Sequence, residues 1–299
     1  MLKTKEELLA AFQKHDLRAL SRLISWAENR EAGTEEILAK LYPNVGRAQV
    51  LGITGPPGAG KSTLVGQFVK LCRDRKQKVA VVAVDPVSPF TGGALLGDRI
   101  RLKEHFNDPE VYIRSLSTRG KLGGLSLATR EVVHLLDAFG FDTILLETVG
   151  VGQSEVEVRN IADATLVVLV PEWGDGVQAI KSGILEIGDV FTVHKADREG
   201  AERIAGELRL ALSELKPPPE VLLSDEKNIA SIEKVLGALQ GVIQSQSAKV
   251  AERRRAGLKQ TLVELVEARM LEQARAWVAA NVQEAKNPYE GYLQFHEKN

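Results

Sequence analysis

Short apolar runs alternate with amphipathic, helix-forming segments through the middle of this 299-residue chain. Between residues 48 and 245 most of these runs are apolar at consecutive positions, which predicts strands that are buried on both faces. Such strands, separated by helices, are typical of an α/β fold with a mostly parallel central sheet flanked by helices. The predicted strands are Val50–Thr54, Val79–Val84, Val111–Ser115, Thr143–Glu147, Leu166–Val170, Val190–Val193 and Val221–Leu223.

Helical periodicity replaces this alternation at both ends of the chain. Residues 4–43 predict helices that end at Pro43-Asn44, and residues 247–284 predict a long helix. The apolar stripe of the long helix needs a partner surface, either on the main domain or on a second copy of the chain. We therefore predict three parts: an N-terminal helical region (1–46), an α/β domain (47–245) and a C-terminal helical region (246–299).

Composition and charge narrow the classes of partner. The formal net charge is -1, from 39 basic and 40 acidic residues, so no global charge favours a nucleic acid or a membrane surface as partner. The single Cys72 excludes a disulfide framework, and the five histidines lack the spacing of metal ligands. With no apolar signal segment and no run long enough to span a bilayer, we expect a cytoplasmic protein, with an organelle protein that has already been trimmed as the alternative.

One motif predicts the chemistry of the α/β domain. Residues 55–62 read Gly-Pro-Pro-Gly-Ala-Gly-Lys-Ser, which matches the phosphate-binding loop (P-loop) pattern, and they lie between a predicted strand and a predicted helix. Backbone N–H groups of such a loop surround phosphate oxygens, the lysine neutralises charge, and the serine hydroxyl is a ligand for Mg²⁺. The chain is thus expected to have a P-loop NTPase fold. We predict that the nucleotide phosphates contact Gly55, Pro56, Pro57, Gly58, Ala59, Gly60, Lys61, Ser62 and Thr63.

Acidic residues follow two other predicted strands. Glu147 ends one of them, where P-loop proteins hold Mg²⁺ or its water shell, and Asp85 ends another. Asp98 closes the loop that Asp85 opens, so this loop is a candidate switch that closes on the metal ion. Two alternatives stay open: Glu147 can cap a helix, and Asp98 can pair with a neighbouring arginine in an ordinary surface loop.

The segment after Glu147 supplies two further candidates. The backbone N–H of Gly150 is placed to meet a γ-phosphate, and Gln153 is a candidate for orienting the attacking water.

A third polar group, His194-Lys195-Ala196-Asp197, stands where GTPases carry Asn-Lys-x-Asp. A carboxylate at Asp197 accepts both N1–H and the 2-amino group of guanine, whereas adenine offers neither donor. Lys195 is expected to lay its aliphatic stem over the base. His194 departs from the usual asparagine and leaves the affinity for guanine open.

Several of these segments resemble the MeaB/ArgK family of GTPases. The resemblance extends from the N-terminal helices to the C-terminal segment. It rests on Asp85 to Arg101, Glu147 to Glu155, Gly174-Asp175, Gln178, Lys181, residues 183–187, Asp189 and Asn287-Pro288-Tyr289. It implies a GTP-hydrolysing chaperone for an adenosylcobalamin-dependent acyl-CoA mutase, typically methylmalonyl-CoA mutase. In such proteins GTP hydrolysis gates cofactor loading and protects or rescues the mutase, and the C-terminal helices form a homodimer.

The resemblance also implies individual roles at the site. Ser224 and Asp225 stand where a second base-contacting loop usually reads Ser-Ala, so Asp225 is another departure. Lys61 and Lys181, the latter in a third switch loop, are candidate catalytic residues together with Gln153. The remaining implied roles are Lys61 on the β- and γ-phosphates, Ser62 and Glu147 at Mg²⁺, Asp85 and Asp98 in the first switch, and Asp197 on guanine.

Other functions of P-loop proteins stay as alternatives. Older descriptions of the family name a kinase linked to amino-acid transport, but the sequence shows no kinase acceptor site. A metal-insertion GTPase needs clustered His and Cys ligands, which this sequence does not supply. A protein-targeting GTPase with a Met-rich groove fits poorly with two methionines and a near-neutral charge.

Overall fold

The structure is a computed structural model that describes residues 4–85, 105, 107–117, 124–148, 154–172, 184–282, 287–290, 292 and 295. The chain divides into two compact units, residues 1–254 and residues 255–299. The three-part division at residues 46 and 245 stays a prediction.

The described residues of the first unit contain one sheet of seven parallel strands. Their order across the sheet is β3-β2-β4-β1-β5-β6-β7, so β1, which leads into the P-loop, lies at the centre. The predicted α/β fold is confirmed, and all seven predicted strands are present with ends that shift by up to two residues. The strands are β1 (Gln49–Thr54), β2 (Val79–Asp85), β3 (Val111–Ser117), β4 (Thr143–Thr148), β5 (Ala164–Leu169), β6 (Val190–His194) and β7 (Glu220–Ser224).

Helices follow most of the strands and also precede the first one. In the described part of the chain, short 3₁₀ turns also occur at Tyr42–Asn44 and Ile184–Glu186. The helices are α1 (Lys5–Gln13), α2 (Leu17–Asn29), α3 (Thr34–Leu41), α4 (Lys61–Asp74), α5 (Gly124–Phe139), α6 (Ser154–Ile161), α7 (Ala201–Leu212), α8 (Ile229–Ser245) and α9 (Ser247–Asn281).

The N-terminal helices begin at side chains that satisfy their first N–H groups. Thr4 and Glu7 form a capping box at the start of α1, and the Asp16 carboxylate accepts the N–H of Arg18 at the start of α2. Their apolar faces pack on one side of the sheet with α5 and α6. An edge-to-face contact between Phe12 and Phe139, with ring centroids 5.1 Å apart, joins α1 to α5.

Both faces of the sheet are covered, which explains why the strands are apolar at consecutive positions. Successive residues of β2 point to opposite faces: Val81 contributes to the core beneath α4 and α8, whereas Val82 contributes to the core beneath α1–α3, α5 and α6. Helix α7 covers the β6–β7 end of the sheet around Phe191. With the helices stacked on the faces, the carboxyl ends of the strands are left as the place for a ligand.

The second unit continues α9 beyond Arg254 and ends in the described residues 287–290, 292 and 295. Apolar side chains along this helix, such as Leu262 and Met270, are exposed. Trp277 meets Phe295 edge to face with ring centroids 5.5 Å apart. The predicted long C-terminal helix is therefore present.

Candidate nucleotide-binding site

The P-loop connects the central strand β1 to helix α4, and its shape depends on glycine. Gly55 and Gly60 have φ of +141° and +89°, a region that side chains disfavour. A Cβ at Gly55 would lie 2.1 Å from the carbonyl oxygen of Val168 on β5, so only glycine lets the chain turn this close to the next strand. Gly60 is the cap residue of α4, and Lys61 and Ser62 form the first turn. The helix therefore directs its free N–H groups into the loop, where an anion binds well.

Lys61 is buried, with 6% of its surface exposed, and its charge is held by the loop itself. Its Nζ donates to the carbonyl oxygens of Gly55 at 2.8 Å and of Pro56 at 2.9 Å. Nearby, Lys195 Nζ donates to the carbonyl oxygen of Gly58 at 2.8 Å. Both ammonium groups therefore lie against the P-loop, and phosphate oxygens are stronger acceptors than these carbonyl oxygens.

A pair of oxygen-bearing side chains lies beside this lysine. The Ser62 hydroxyl donates to Glu147 Oε1 at 2.7 Å, and both residues are buried. Glu147 lies near the carboxyl end of β4, where Ala83 of β2 is its neighbour in register, and Asp85 ends β2 at the same edge. A buried hydroxyl and carboxylate are hard oxygen ligands of the kind that Mg²⁺ prefers, so the two side chains fit this ion.

His194 ends β6 and is 1% exposed. Its Nδ1 lies 2.9 Å from the Ser224 hydroxyl, which is in turn 2.8 Å from the Thr192 hydroxyl. Burial is the main cause that lowers the pKa of the imidazole, so the ring is neutral near pH 7. The Ser224 hydroxyl at the end of β7, itself held by Thr192 of β6, thus keeps the His194 ring in one orientation.

The remaining base-loop residues lie beyond these strand ends. Asp197 is partly exposed, and its Oδ2 lies 3.5 Å from Lys227 Nζ. The Asp225 carboxylate accepts the backbone N–H of Lys227 at 2.9 Å, and the backbone N–H of Asp225 donates to the Ser231 hydroxyl at 3.1 Å. The Asp197 carboxylate therefore points toward the chain segment that follows β7, and an exposed ion pair of this kind is weak enough for a ligand to replace.

Most of the predicted site residues lie together in the structure, and four of them lie outside its described part. The whole P-loop, Ser62, Glu147 and the residues after β6 and β7 lie at the carboxyl edge of the sheet, and half-buried Thr63 lies on the first turn of α4. The backbone of Asp85 lies there too. The other predicted residues, Asp98, Gly150, Gln153 and Lys181, lie outside the described residues.

Sequence reasoning missed three residues that surround the candidate base pocket. Thr192 orients Ser224, Ser231 binds the backbone of the β7–α8 loop, and Lys227 pairs with Asp197. These contacts depend on β6 and β7 being neighbours, and no motif marks them. They follow from the register of the two strands, in which His194 is opposite Ser224, and this register cannot be read from the sequence.

The match to a family model decides where the chain belongs. Residues 20–286 match the model of a family described as methylmalonyl Co-A mutase-associated GTPase MeaB. The chain belongs to this MeaB family. The predicted resemblance to the MeaB/ArgK family is confirmed.

Individual MeaB-family relatives come from distant organisms. A Pyrococcus horikoshii protein provisionally named a GTPase is 54% identical over 207 residues, 69% of this chain and 65% of that protein. The GTPase ArgK of Escherichia coli is 36% identical over 206 residues, 68% of this chain and 62% of that protein. The mitochondrial methylmalonic aciduria type A homolog of Mus musculus is 43% identical over 174 residues, 57% of this chain and 42% of that protein. The chain thus spans less than two thirds of the length of these relatives.

Solved structures agree on the fold. The crystal structure of an LAO/AO transport system kinase superposes with a TM-score of 0.72 and 24% identity over 99% of both chains. HypB from Helicobacter pylori, in complex with nickel, gives a TM-score of 0.51 and 19% identity over 71% of this chain and 94% of that one. At these identities the likeness concerns the fold alone, and it confirms the predicted P-loop NTPase architecture.

Proposed function

We propose that this MeaB-family chain is a GTP-hydrolysing chaperone for an adenosylcobalamin-dependent acyl-CoA mutase of the methylmalonyl-CoA mutase type. In this role GTP hydrolysis gates cofactor loading and protects or reactivates the mutase. The observation that carries the proposal is the family match over residues 20–286, whose family description names both the GTPase and the mutase. The site geometry supports the nucleotide half of the proposal independently.

The P-loop supplies the phosphate site. Phosphate oxygens replace the carbonyl oxygens of Gly55 and Pro56 as acceptors for Lys61, and the N-terminus of α4 adds N–H donors. Ser62 and Glu147 would hold Mg²⁺, and Asp85 and Asp98 of the first switch would supply further oxygen ligands to it. When bound, the ion neutralises the charge that develops on the phosphates.

The loops after β6 and β7 supply the base site. Asp197 accepts N1–H and the 2-amino group of guanine in place of its contact with Lys227, and Lys195 lies over the base. Ser224 and Asp225 border the same pocket. Because adenine has an acceptor at N1 and no 2-amino group, this arrangement prefers guanine nucleotides.

Catalysis at such a site is positional and electrostatic. Lys61 stabilises the negative charge of the phosphate oxygens, and Gln153, Lys181 or a residue of the mutase orients the water that attacks the γ-phosphate. Burial of Lys61, Ser62 and Glu147 keeps bulk water away from these charges, so each interaction is stronger than at an exposed site.

The proposed partners are the mutase and a second copy of the chain. The apolar residues of α9, among them Leu262 and Met270, are exposed in the second unit and suit a homodimer interface. No nucleic acid or membrane partner is proposed, because the net charge is near zero. Among the described residues, no helix combines the length and the hydropathy that crossing a bilayer requires. The protein is proposed to act in the cytoplasm.

Two alternatives have less support. A transport-linked ATPase or kinase has only the fold likeness to the LAO/AO kinase in its favour. A metal-insertion GTPase needs a ligand cluster, and in the part of the chain that the structure describes there is no group of three or more His, Cys, Asp or Glu residues suited to a metal ion. Competition between GTP and ATP for the site separates the first alternative from the proposal.

The experiment uses the purified chain and the methylmalonyl-CoA mutase of the same organism. We expect GTP to be hydrolysed in strong preference to ATP, the two proteins to co-elute with a non-hydrolysable GTP analogue, and the chain with GTP to slow the turnover-dependent inactivation of the mutase. Lys61→Ala is the matched control, because it removes the proposed phosphate contact and leaves the apolar residues of α9 unchanged. Normal GTP hydrolysis without any effect on the mutase would overturn the chaperone role and leave the GTPase role intact.

A further inference from the structure

His194 contacts a part of the site that its sequence position does not suggest. Its Nδ1 edge is bound to the Ser224 hydroxyl at the end of β7. Its opposite edge, Cδ2 and Nε2, faces the P-loop glycine Gly60. The ring thus fills the space between the loop after β7 and the loop after β1, although β5 separates β6 from β1 in the sheet.

The contact with Gly60 is close. A Cβ added to Gly60 would lie 2.6 Å from His194 Cδ2 and 3.0 Å from Nε2, so the ring occupies the place where a side chain would begin. Gly60 has a φ of +89° and is the residue directly before Lys61. Any shift of Gly60 therefore moves the residues that are proposed to hold the phosphates and Mg²⁺.

The ring has a fixed orientation, so it limits how closely the P-loop can approach β6. It is 1% exposed, and the chain of hydroxyls from Thr192 through Ser224 to Nδ1 fixes its orientation. Both hydroxyl-bearing residues lie on strands of the rigid sheet. The paired strands β6 and β7 therefore fix the place of the His194 ring, and the buried ring in turn fixes the place of the P-loop.

We propose that His194 is a positioning residue: it sets the P-loop through Gly60 and makes no contact with the base. The inference rests on the proposed binding of nucleotide phosphates in the P-loop. It differs from the expectation that residue 194, standing where GTPases carry asparagine, belongs to the base site. Loss of the ring should weaken binding of the phosphates and leave discrimination between bases unchanged, because Asp197 is untouched.

The charges around His194 agree with a neutral ring in this role. Burial is the largest cause that lowers its pKa, and the cation of Lys195 acts in the same direction. The carboxylates of Glu226, Asp225 and Asp197 act in the opposite direction. From the P-loop, the charged residue next to Gly60 in the chain is Lys61, whose Nζ is bonded to the carbonyl oxygens of Gly55 and Pro56.

The test compares His194→Ala and His194→Asn with the wild-type chain by titration calorimetry against GDP, IDP and ADP. IDP lacks the 2-amino group of guanine, and ADP carries a different base. We expect His194→Ala to weaken all three by a similar factor, about tenfold or more, as displacement of a binding group does. Asparagine can still bond to the Ser224 hydroxyl, so the conservative variant should recover part of each loss equally.

Asp197→Asn is the reference for a residue that contacts the base, and it should weaken GDP more than ADP. A loss in the His194 variants that is confined to GDP, or no loss for any nucleotide, would overturn the inference. If His194→Ala does not fold, as judged by its melting curve without nucleotide, the same ratios measured with His194→Asn decide. A wild-type chain that binds none of the three nucleotides would instead contradict the proposed function.

Discussion

The two edges of the central sheet bury polar side chains in opposite ways. At the carboxyl edge, Lys61 is held by two carbonyl oxygens of its own loop, and Ser62 and Glu147 share one hydrogen bond. At the amino edge, Asp163 and Asp189 each accept several hydrogen bonds from guanidinium and backbone N–H groups. Polar groups that a ligand can take over agree with the proposed binding site at the first edge, whereas the groups at the second edge are already paired within the protein.

The amino-edge contacts tie the start of α9 to the strands. Arg254 binds the Asp163 carboxylate through Nε and Nη2, both at 2.7 Å, and donates to the carbonyl oxygens of Gly46 and Ala48. Asp163 also accepts the N–H of Val50 at 2.9 Å. One carboxylate thus joins β1, β5 and α9, which leaves little capacity for a ligand.

The Asp137 carboxylate on α5 completes this edge. It accepts the backbone N–H groups of Gly46, Arg47 and Ala48, at distances from 2.6 to 3.1 Å. These residues form the connection between the N-terminal helices and β1. With the same connection held from the other side by Arg254, the entry to the sheet is fixed by charged groups that are already paired.

The largest expected effect lies at the carboxyl edge. Lys61→Ala removes the ammonium group proposed to bind the phosphates, so GTP hydrolysis should fall by about a thousandfold, as loss of a key charge-stabilising donor does. The free energy of unfolding without nucleotide should change less than the rate of hydrolysis does, because the hydrogen bonds of Lys61 Nζ to the carbonyl oxygens of Gly55 and Pro56 lie within its own loop. Steady-state hydrolysis and urea unfolding measure the two quantities.

Lys70→Ala is the matched control, because Lys70 is an exposed lysine on the same helix. It should leave both quantities unchanged. If Lys61→Ala hydrolysed GTP at the wild-type rate, the assignment of the carboxyl edge as the phosphate site would be wrong.

The second largest effect is expected at the amino edge, where a substitution should lower the free energy of unfolding and leave the KM for GTP unchanged. Asp163→Ala removes the carboxylate that pairs with Arg254 and leaves the Val50 N–H without its acceptor, so the free energy of unfolding should fall by about 3 kcal/mol, with allowance for the partly exposed guanidinium. The KM for GTP at a temperature where the variant is folded should stay at the wild-type value. Urea unfolding and a kinetic assay at low temperature test the two halves.

An exposed ion pair provides the control for that loss. Arg203→Ala removes a partner of Glu207 on the surface of α7 and should cost less than about 1 kcal/mol. Equal losses in Asp163→Ala and Arg203→Ala would contradict the structural reading of the amino edge, and a large rise in the KM of Asp163→Ala would contradict the separation of the two edges.

The sequence predicted these two edges with unequal success, for a physical reason. The seven strands and the P-loop follow from local patterns. Consecutive apolar residues indicate strands that are buried on both faces, and the glycine-rich motif indicates the P-loop. The pairing of Asp163 with Arg254 joins residues that are 91 positions apart, and the contact of His194 with Gly60 crosses an intervening strand. Such contacts follow from strand order and from the path of α9, which no local pattern fixes.

The smallest expected effect is a pH dependence of the free energy of unfolding, and it comes from a histidine near the amino edge. His134 lies on α5, half-buried, with its ring 5.3 Å from the ring of Tyr42 in an edge-to-face contact. Burial lowers its pKa to about 4; Asp137 opposes this shift and Arg130 adds to it. Because the folded state holds the neutral ring, stability is full above pH 6.5, the ordinary value, and falls as pH drops toward 4. The loss of unfolding free energy assigned to His134 should be about 2 kcal/mol.

Urea unfolding of the wild type and of His134→Gln from pH 7 to 4.5 measures this loss. It is the difference between the two curves of unfolding free energy against pH, in which the effects of the carboxylates common to both proteins cancel. Parallel curves would show that this histidine is not held neutral, whereas a steeper wild-type curve with an unchanged KM for GTP would place the titrating group at the structural edge, away from the nucleotide.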